Sequence, residues 1–553
     1  MNTSRLMKPA RVRRLSGLHG LMACVLLWAG LFAPLQAGER VFDLREAGID
    51  DIQAAVAAGA LTYERLVELY LARIETYDDA GPRLRAIIEV PPRALEIARA
   101  LDIEREERGL RGPLHGIPVV IKDTIDVADI PSAGGNIALA GTFPSDDATV
   151  VAKLRAAGAI ILAKTNLDEF NMGAEGLSSL GGQTLNPYDL ERNPGGSSAG
   201  SGVAVNVGFA TVALGTESGA SVRSPSSNNS LVGIAPSEGL VSRAGVMAIS
   251  YTQDRVGPMA KTVRDAALML QVMRGFDAAD LFTWQSLGRL DGVDYLAALD
   301  TNALAGARIG VLRDLFREGD EFREINTLIE TEIQTLRGPA DSEVNVMPGS
   351  GAMLVDGLSL GLDVIDFFPD ARASVPEIRA TFDAWLTARG PDTPVASFED
   401  LVRSGEYLQA LKPLFERVLE LPGPDLNRNY HARLANRATV RRLIVDLMDR
   451  HRLDALVYPF KSLAAPPLGT SDRGPRDNPV SSVSGLPAIV VPAGVTSEGL
   501  PISIEFLGRP FSEATLIAIA YAYEQQSRKR VAPDSTPGLT GERFTYTVED
   551  PCD

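Results

Sequence analysis

Residues 194–223 read PGGSSAGSGVAVNVGFATVALGTESGASVR, and the fold is decided by how this stretch is read. It opens on a Gly/Ser loop, Pro194 to Gly202, that runs without a break into the apolar Val203-Ala204-Val205. A flexible Gly/Ser linker stays solvated and does not lead straight into apolar helical sequence. The loop therefore reads as a tight turn delivering backbone N–H groups to a helix start. A phosphate-cradling P-loop would need Lys where Ser201 follows Gly200. The apolar run Ala210 to Leu214 reads as a strand. The segment after it, Gly215 to Ser221, reads as a sharp turn that exposes successive N–H groups, the arrangement that stabilises an oxyanion. Helix, strand and turn in this order predict an α/β layer structure.

Outward from this stretch the same alternation continues. Further strands are expected at Ala86 to Val90, Ile117 to Ile121, Ala159 to Ala163, Ala455 to Tyr458, Ala488 to Val491 and Ile502 to Leu507. Helical patterns lie between them. One begins after Thr62, with Leu66, Val67, Tyr70, Leu71 and Ile74 on one face; others span Thr149 to Ala157 and Leu516 to Glu524, the last with Ser512 as its N-cap. Residues 339–450 are rich in helix formers and broken by Gly390-Pro391 and Pro422-Gly423-Pro424, which predicts a helical excursion from the sheet. Strand patterns resume at Ala455, so 38–532 is expected to form a single domain with an irregular tail at 533–553. No repeat of fixed period is present, which excludes solenoids and propellers.

The first 37 residues have a different character. Arg5, Lys8, Arg11, Arg13 and Arg14 precede an apolar stretch from Leu21 to Leu35 that ends in Leu35-Gln36-Ala37. This is the layout of a secretory signal peptide cleaved after Ala37, and it predicts a periplasmic or secreted protein with no stable membrane association after processing. Retention as an anchor is the competing reading, because Leu18 to Leu35 is nearly long enough to span a bilayer. Leu21-Met22-Ala23-Cys24 resembles a lipoprotein box, but the apolar run continues past Cys24. The formal net charge is −17, and losing the five cations of 1–37 takes it to −22. Such a chain does not bind nucleic acid or anionic lipid through bulk charge. Cys552 would be the one remaining cysteine, which excludes an intramolecular disulfide. With His115, His431 and His451 scattered and no second thiol, no metal site is expected.

A third chemically suggestive segment is His115-Gly116-Ile117-Pro118-Val119-Val120-Ile121-Lys122-Asp123-Thr124, where Lys122 ends an apolar strand. Taken alone, such a lysine is usually a snorkelling surface residue. Taken together, GIPVVIKD around Lys122, PGGSSAGSG, ALGTESGASVR and GPMAKTVRDAA (257–267) resemble the amidase signature family. SGLPAIVVPAG (484–494) and GLPISIEFLG (499–508) are similar to that family's C-terminal strands. The resemblance covers about residues 45–530.

The resemblance implies a mixed, twisted central β-sheet covered by helices on both faces, and three catalytic roles. Ser221 would be the nucleophile that forms an acyl-enzyme. Ser197, 24 residues earlier and preceded by a cis peptide bond after Gly196, would relay its proton. Lys122 would be the general base, kept neutral by burial. The N–H groups of Ser218, Gly219, Ala220 and Ser221 would form the oxyanion hole. The substrate would be a small-molecule or peptide amide, with no cofactor, and a homodimer stays open. Lys164, also at a strand end, falls in AKTNLDEF, which the family carries as a structural segment. His115 offers a Ser-His-Asp alternative, but no GxSxG elbow is present.

The chain departs from the family pattern at Ala220, where Gly is usual, and at Glu217, where Asp is usual. It departs again at Ser226 to Ser230 and at Ala235-Pro236-Ser237. These departures motivate the alternative of a catalytically impaired amidase-fold binding protein. A role in a transamidosome is disfavoured by the export signal. The segment Ile249-Ser250-Tyr251-Thr252-Gln253-Asp254 is similar to the peptide-amidase branch.

Overall fold

The computed structural model describes residues 38–337, 351–391, 393–470 and 478–548. The signal or anchor segment 1–37 and the last five residues lie outside the described residues.

One sheet of eleven strands organises the chain. From one edge the strands are Met353–Leu358, Arg308–Leu312, Ala455–Pro459, Pro501–Leu507, Ala488–Val495, Val232–Ala235, Arg255–Ala260, Val212–Glu217, Pro118–Lys122, Ile160–Thr165 and Ile87–Glu89. The sheet is mixed. Pro118–Lys122 runs parallel to both of its neighbours, whereas Val212–Glu217 and Arg255–Ala260 are antiparallel. Every strand expected from the sequence is present. Those not expected, Val232–Ala235, Arg255–Ala260, Arg308–Leu312 and Met353–Leu358, are short or lack the continuous β-branched run that marks the others.

Alternation along the strands explains why both faces are covered. Ala455, Val457, Ile489, Val491, Ile504 and Phe506 join the core built with Ile329, Leu516 and Ala520. Leu456, Tyr458, Ala488 and Leu507 join a separate core with Val440, Ile444, Leu447 and Val483. Successive side chains point to opposite faces, so helices Arg323–Thr335 and Glu513–Ser527 cover one side, while Arg428–His451 and Val480–Ser484 cover the other.

The Gly/Ser loop owes its composition to close packing. All eight residues of helix Ala199–Asn206 are buried. A β-carbon on Gly200 would lie 2.2 Å from the Ala86 carbonyl oxygen, and one on Gly202 would lie 2.9 Å from the Pro225 carbonyl oxygen. Small residues let the helix lie directly against its neighbours.

Three local expectations need correction. The tail is not irregular throughout: Arg543–Val548 pairs antiparallel with Gly38–Asp43. The buried Arg73 fixes the stretch before that strand, donating to the Thr536 and Pro537 carbonyls at 3.0 and 3.2 Å and to Glu542 at 2.7 Å. The helical excursion starts later than residue 339, because Met353–Leu358 is an edge strand of the main sheet. Its largely exposed residues hid it from a reading based on hydrophobicity. Ser512 occupies the N-cap position but donates to the Arg509 carbonyl instead of capping, whereas Thr62 does cap, accepting from the Arg65 N–H at 3.0 Å.

Candidate active site

The parallel register of Pro118–Lys122 and Val212–Glu217 pairs Ile121 with Leu214, so Lys122 and Thr216 emerge at the same sheet edge. Ligand sites in sheets with helices on their faces form at such carboxyl ends. The Gly/Ser loop is tied to that edge from above. Ser201 Oγ donates to the Leu214 carbonyl at 2.9 Å, Ser198 Oγ donates to the Thr216 carbonyl at 3.2 Å, and the Ser198 N–H donates to the Ser221 carbonyl at 3.1 Å.

Lys122 is fully buried. Its Nζ lies 2.7 Å from Ser197 Oγ, 3.0 Å from Thr216 Oγ1 and 3.4 Å from the Thr216 carbonyl oxygen. Burial pushes its pKa down to about 7, against the opposing pull of Asp168, Asp254 and Glu217. Near neutrality a large share of this amine is therefore unprotonated and able to accept a proton. The Gly196–Ser197 peptide bond is cis. Gly196 has no room for a side chain, since its β-carbon would sit 2.1 Å from Asp168 Oδ2.

Ser221 stands half-buried beyond Ser197. The two loops join through the Ser198 to Ser221 backbone bond, and among the described residues no hydrogen bond links the two hydroxyls directly. The N–H groups of Ser218, Gly219, Ala220 and Ser221 have no acceptor among the described residues either. These four N–H groups remain available to a developing negative charge. A β-carbon on Gly219 would meet nothing within 4 Å, so this loop borders open space.

The turn that carries these N–H groups is held by a buried ionic network that the sequence reading did not foresee. Glu217 Oε2 accepts from the Val222 and Arg223 N–H groups at 3.0 and 3.1 Å. Glu217 Oε1 accepts from Arg223 Nε at 2.9 Å and from Arg255 Nη2 at 2.7 Å. Arg223 continues to Glu505 at 2.8 Å and to the Gly219 carbonyl at 2.7 Å, and Glu505 accepts from the Tyr458 hydroxyl at 2.7 Å. The two arginines hold the Glu217 carboxyl below the usual range despite its burial. Glu217, noted as a departure from the family pattern, thus organises the loop that bears the proposed nucleophile.

The segment Ile249 to Asp254 buttresses the other side. Asp254 accepts from the Ser218 hydroxyl and from the Ile249 N–H at 2.7 Å. The Gln253 amide donates to the Ser218 carbonyl at 3.0 Å, and its oxygen accepts from the Ala373 and Ser374 N–H groups at 2.6 and 3.0 Å. The helical excursion therefore braces the oxyanion loop through one glutamine side chain.

The two decoy residues are structural. Lys164 is buried in an ion pair with Asp123 at 3.2 Å and donates to the Ile125 carbonyl at 2.8 Å. His115 accepts from the Arg111 N–H at Nδ1 and meets the Leu101 carbonyl at Nε2, both at 2.9 Å, which fixes the Nε2–H tautomer away from any serine. Thr216 and Asn171 are site residues that the sequence reading missed. Thr216 lay inside the quoted motif next to Glu217, while Asn171 gave no signal at all.

Comparison with known proteins agrees with this architecture. The Amidase family model matches residues 65–517. The chain is similar to the native peptide amidase of Stenotrophomonas maltophilia, with 37% identity and a TM-score of 0.80 over 89% of this chain and 99% of that one. A probable amidase of Arabidopsis thaliana is 34% identical, over 89% and 92% of the respective chains. One of the chains of the glutamyl-tRNA(Gln) amidotransferase of Chloroflexus aurantiacus is 35% identical, over 87% of this chain and 97% of the relative. With a buried lysine on a Gly/Ser-loop serine, free N–H groups one turn away and relatives matched nearly end to end, this chain belongs to the amidase family.

Proposed function

We propose that this protein hydrolyses carboxamide C–N bonds through an acyl-enzyme, with Ser221 as nucleophile, Ser197 as proton relay and Lys122 as base. The observation that carries the reading is the 2.7 Å contact between Lys122 Nζ and Ser197 Oγ in a site where burial pushes the amine's pKa down to about 7. Lys122 takes the Ser197 hydroxyl proton, Ser197 takes that of Ser221, and Ser221 Oγ adds to the amide carbon. The carbonyl oxygen becomes an oxyanion facing the N–H groups of residues 218–221. The proton returns from Lys122 through Ser197 to the departing nitrogen, so that the C–N bond breaks with ammonia or a neutral amine as the leaving group. Water then attacks the ester by the same relay, releasing the acid and restoring Ser221.

Similarity to a peptide amidase, together with the likeness of the Ile249 to Asp254 segment to the peptide-amidase branch, supports a peptide amide or a related small amide as substrate. The basic and apolar layout of residues 1–37 supports export and action outside the cytoplasm. A fluorophosphonate probe tests the chemistry. Labelling of the folded protein at Ser221, located by mass spectrometry and lost in Ser221→Ala, is expected. A folded protein that resists the probe over pH 6 to 9 overturns the hydrolase reading in favour of an amide-binding protein on the same fold.

A further inference from the structure

Lys122 Nζ meets three groups, and hydrogen counting decides which way its lone pair points. A neutral amine has two hydrogens and one lone pair. The Thr216 carbonyl oxygen can only accept, so it takes one hydrogen. Thr216 Oγ1 could either donate to the amine or accept from it, and its behaviour is fixed from the far side. Thr216 Oγ1 lies 3.1 Å from Asn171 Oδ1, and Asn171 Nδ2 donates to the Met247 carbonyl at 3.1 Å. Because a carbonyl cannot donate, the NH2 end of Asn171 must face Met247 and its oxygen must face Thr216. The Thr216 hydroxyl hydrogen is thereby committed to Asn171, and its oxygen is left to accept the second amine hydrogen. The lone pair then faces the one remaining partner, Ser197 Oγ at 2.7 Å.

We infer that Asn171 is a positioning residue, which holds the Thr216 hydroxyl as a pure acceptor and so turns the lone pair of Lys122 onto Ser197. The inference rests on the Lys122, Ser197 and Ser221 reading proposed above. Asn171 is buried, and both it and Phe170 are left-handed, with φ of 62° and 55°. Asn tolerates that region better than most residues. Two consecutive left-handed residues next to a proposed base mark the backbone geometry that delivers this amide to Thr216.

Without the Asn171 oxygen, the Thr216 hydroxyl hydrogen is free to rotate onto the amine lone pair. That bond diverts the lone pair from Ser197, and the Thr216 oxygen, no longer polarised by donating to Asn171, accepts less strongly from the ammonium form, so the lysine pKa falls. The charged groups that act on Lys122, namely Asp168, Asp254 and Glu217, are unchanged by the substitution. A general loosening would do the opposite, because entering water favours the ammonium form and raises the pKa.

The test is the rate of fluorophosphonate labelling at Ser221 as a function of pH, which requires no knowledge of the natural substrate. Asn171→Gly accommodates the left-handed backbone and removes the whole side chain, the Thr216 acceptor and the Met247 donor included. It is expected to lower the plateau rate on the order of 10- to 100-fold, the scale of a misoriented catalytic group. Its acid limb should move below that of the wild type. Combined with Thr216→Val it should cost nothing beyond Thr216→Val alone, since Asn171 acts through that hydroxyl. Asn171→Asp keeps the acceptor toward Thr216 but loses the donor to the Met247 carbonyl, so it should keep more of the plateau than Asn171→Gly, with the limb moved up by the added carboxylate.

An unchanged rate in Asn171→Gly, a limb moved upward in that variant, additivity with Thr216→Val, or an equal loss in Asn171→Asp each overturns the inference. Failure of the wild type to label refutes the hydrolase reading itself. Normal wild-type labelling with an unaffected Asn171→Gly refutes only the positioning role.

Discussion

Glu217→Gln separates the ionic network from its shape. The amide is nearly isosteric with the carboxylate, so any effect reports charge and acceptor capacity. The carboxylate receives four donors, two on each oxygen. A glutamine can satisfy only one pair, and its NH2 must then face the other two donors. Arg255 loses the carboxylate it pairs with, while Arg223 keeps Glu505. Removing one partner from a fully buried pair costs about 3–5 kcal/mol. Unfolding entropy near 2.1 cal/mol/K per residue gives, for a domain of roughly 500 residues, about 1 kcal/mol per degree, so a loss of ~3–5 °C in Tm is expected.

The functional loss should exceed what that modest destabilisation suggests, because the network pins the Val222 and Arg223 N–H groups and the Gly219 carbonyl. Displacing one oxyanion donor costs on the order of 100-fold in rate. Differential scanning calorimetry and fluorophosphonate labelling, run on the same preparations, measure the two effects. A variant melting within about 1 °C of the wild type and labelling at the wild-type rate would refute the claim that Glu217 organises the loop.

Other substitutions probe different parts of the structure. Lys122→Met should abolish labelling yet raise stability below pH 7. The folded-state pKa of about 7 lies below the unfolded value near 10.4, so wild-type folding is penalised fully below pH 7 and relieved as pH rises toward 10. Melting curves at pH 6 and pH 10 should show the gain shrinking at the higher pH, and a gain independent of pH would contradict the shift. For the wild type, the labelling rate should climb with pH through about 7, since only the neutral amine accepts the proton. Gly219→Ala should fold with an unchanged melting temperature, because its β-carbon meets nothing within 4 Å, but should alter the affinity for bulky amides in a substrate panel. Glu542→Ala leaves the buried Arg73 without its carboxylate and should destabilise by about 3–5 kcal/mol, read in denaturant unfolding; a neutral result would show that the tail is not anchored there.

The sequence reading succeeded where local pattern and burial coincide. Strands such as Ile160–Thr165 and Ala488–Val495 have continuously apolar cores and surfaced as short apolar runs between helical patterns. It failed for Met353–Leu358, an exposed edge strand, and for Arg543–Val548, whose partner Gly38–Asp43 lies at the opposite end of the chain. No local signal encodes such a pairing. Lys122 illustrates the same boundary within the site: its place at a strand end was legible in the local pattern, which by itself pointed to an exposed lysine, and its burial was expected only through the family resemblance.

What the sequence indicated alone was the alternation of strand and helix and a tight turn at the Gly/Ser loop, which follow from neighbours within one turn or one motif, while Lys122, Ser197 and Ser221 entered as candidates through the family resemblance of three separate motifs. Only the tertiary structure decided that Asn171 reaches Thr216 beside the lysine, that Arg223 and Arg255 meet at Glu217 while Arg223 also reaches Glu505, and that Gln253 ties the loop to the start of a helix at Ser374. Apart from Arg223 with Glu217, six residues away, these contacts join segments at least 35 residues apart in the chain. Hydrogen-bond direction and buried charge pairing depend on which groups the folded chain brings within about 3 Å, a property of three-dimensional proximity that composition and spacing do not carry.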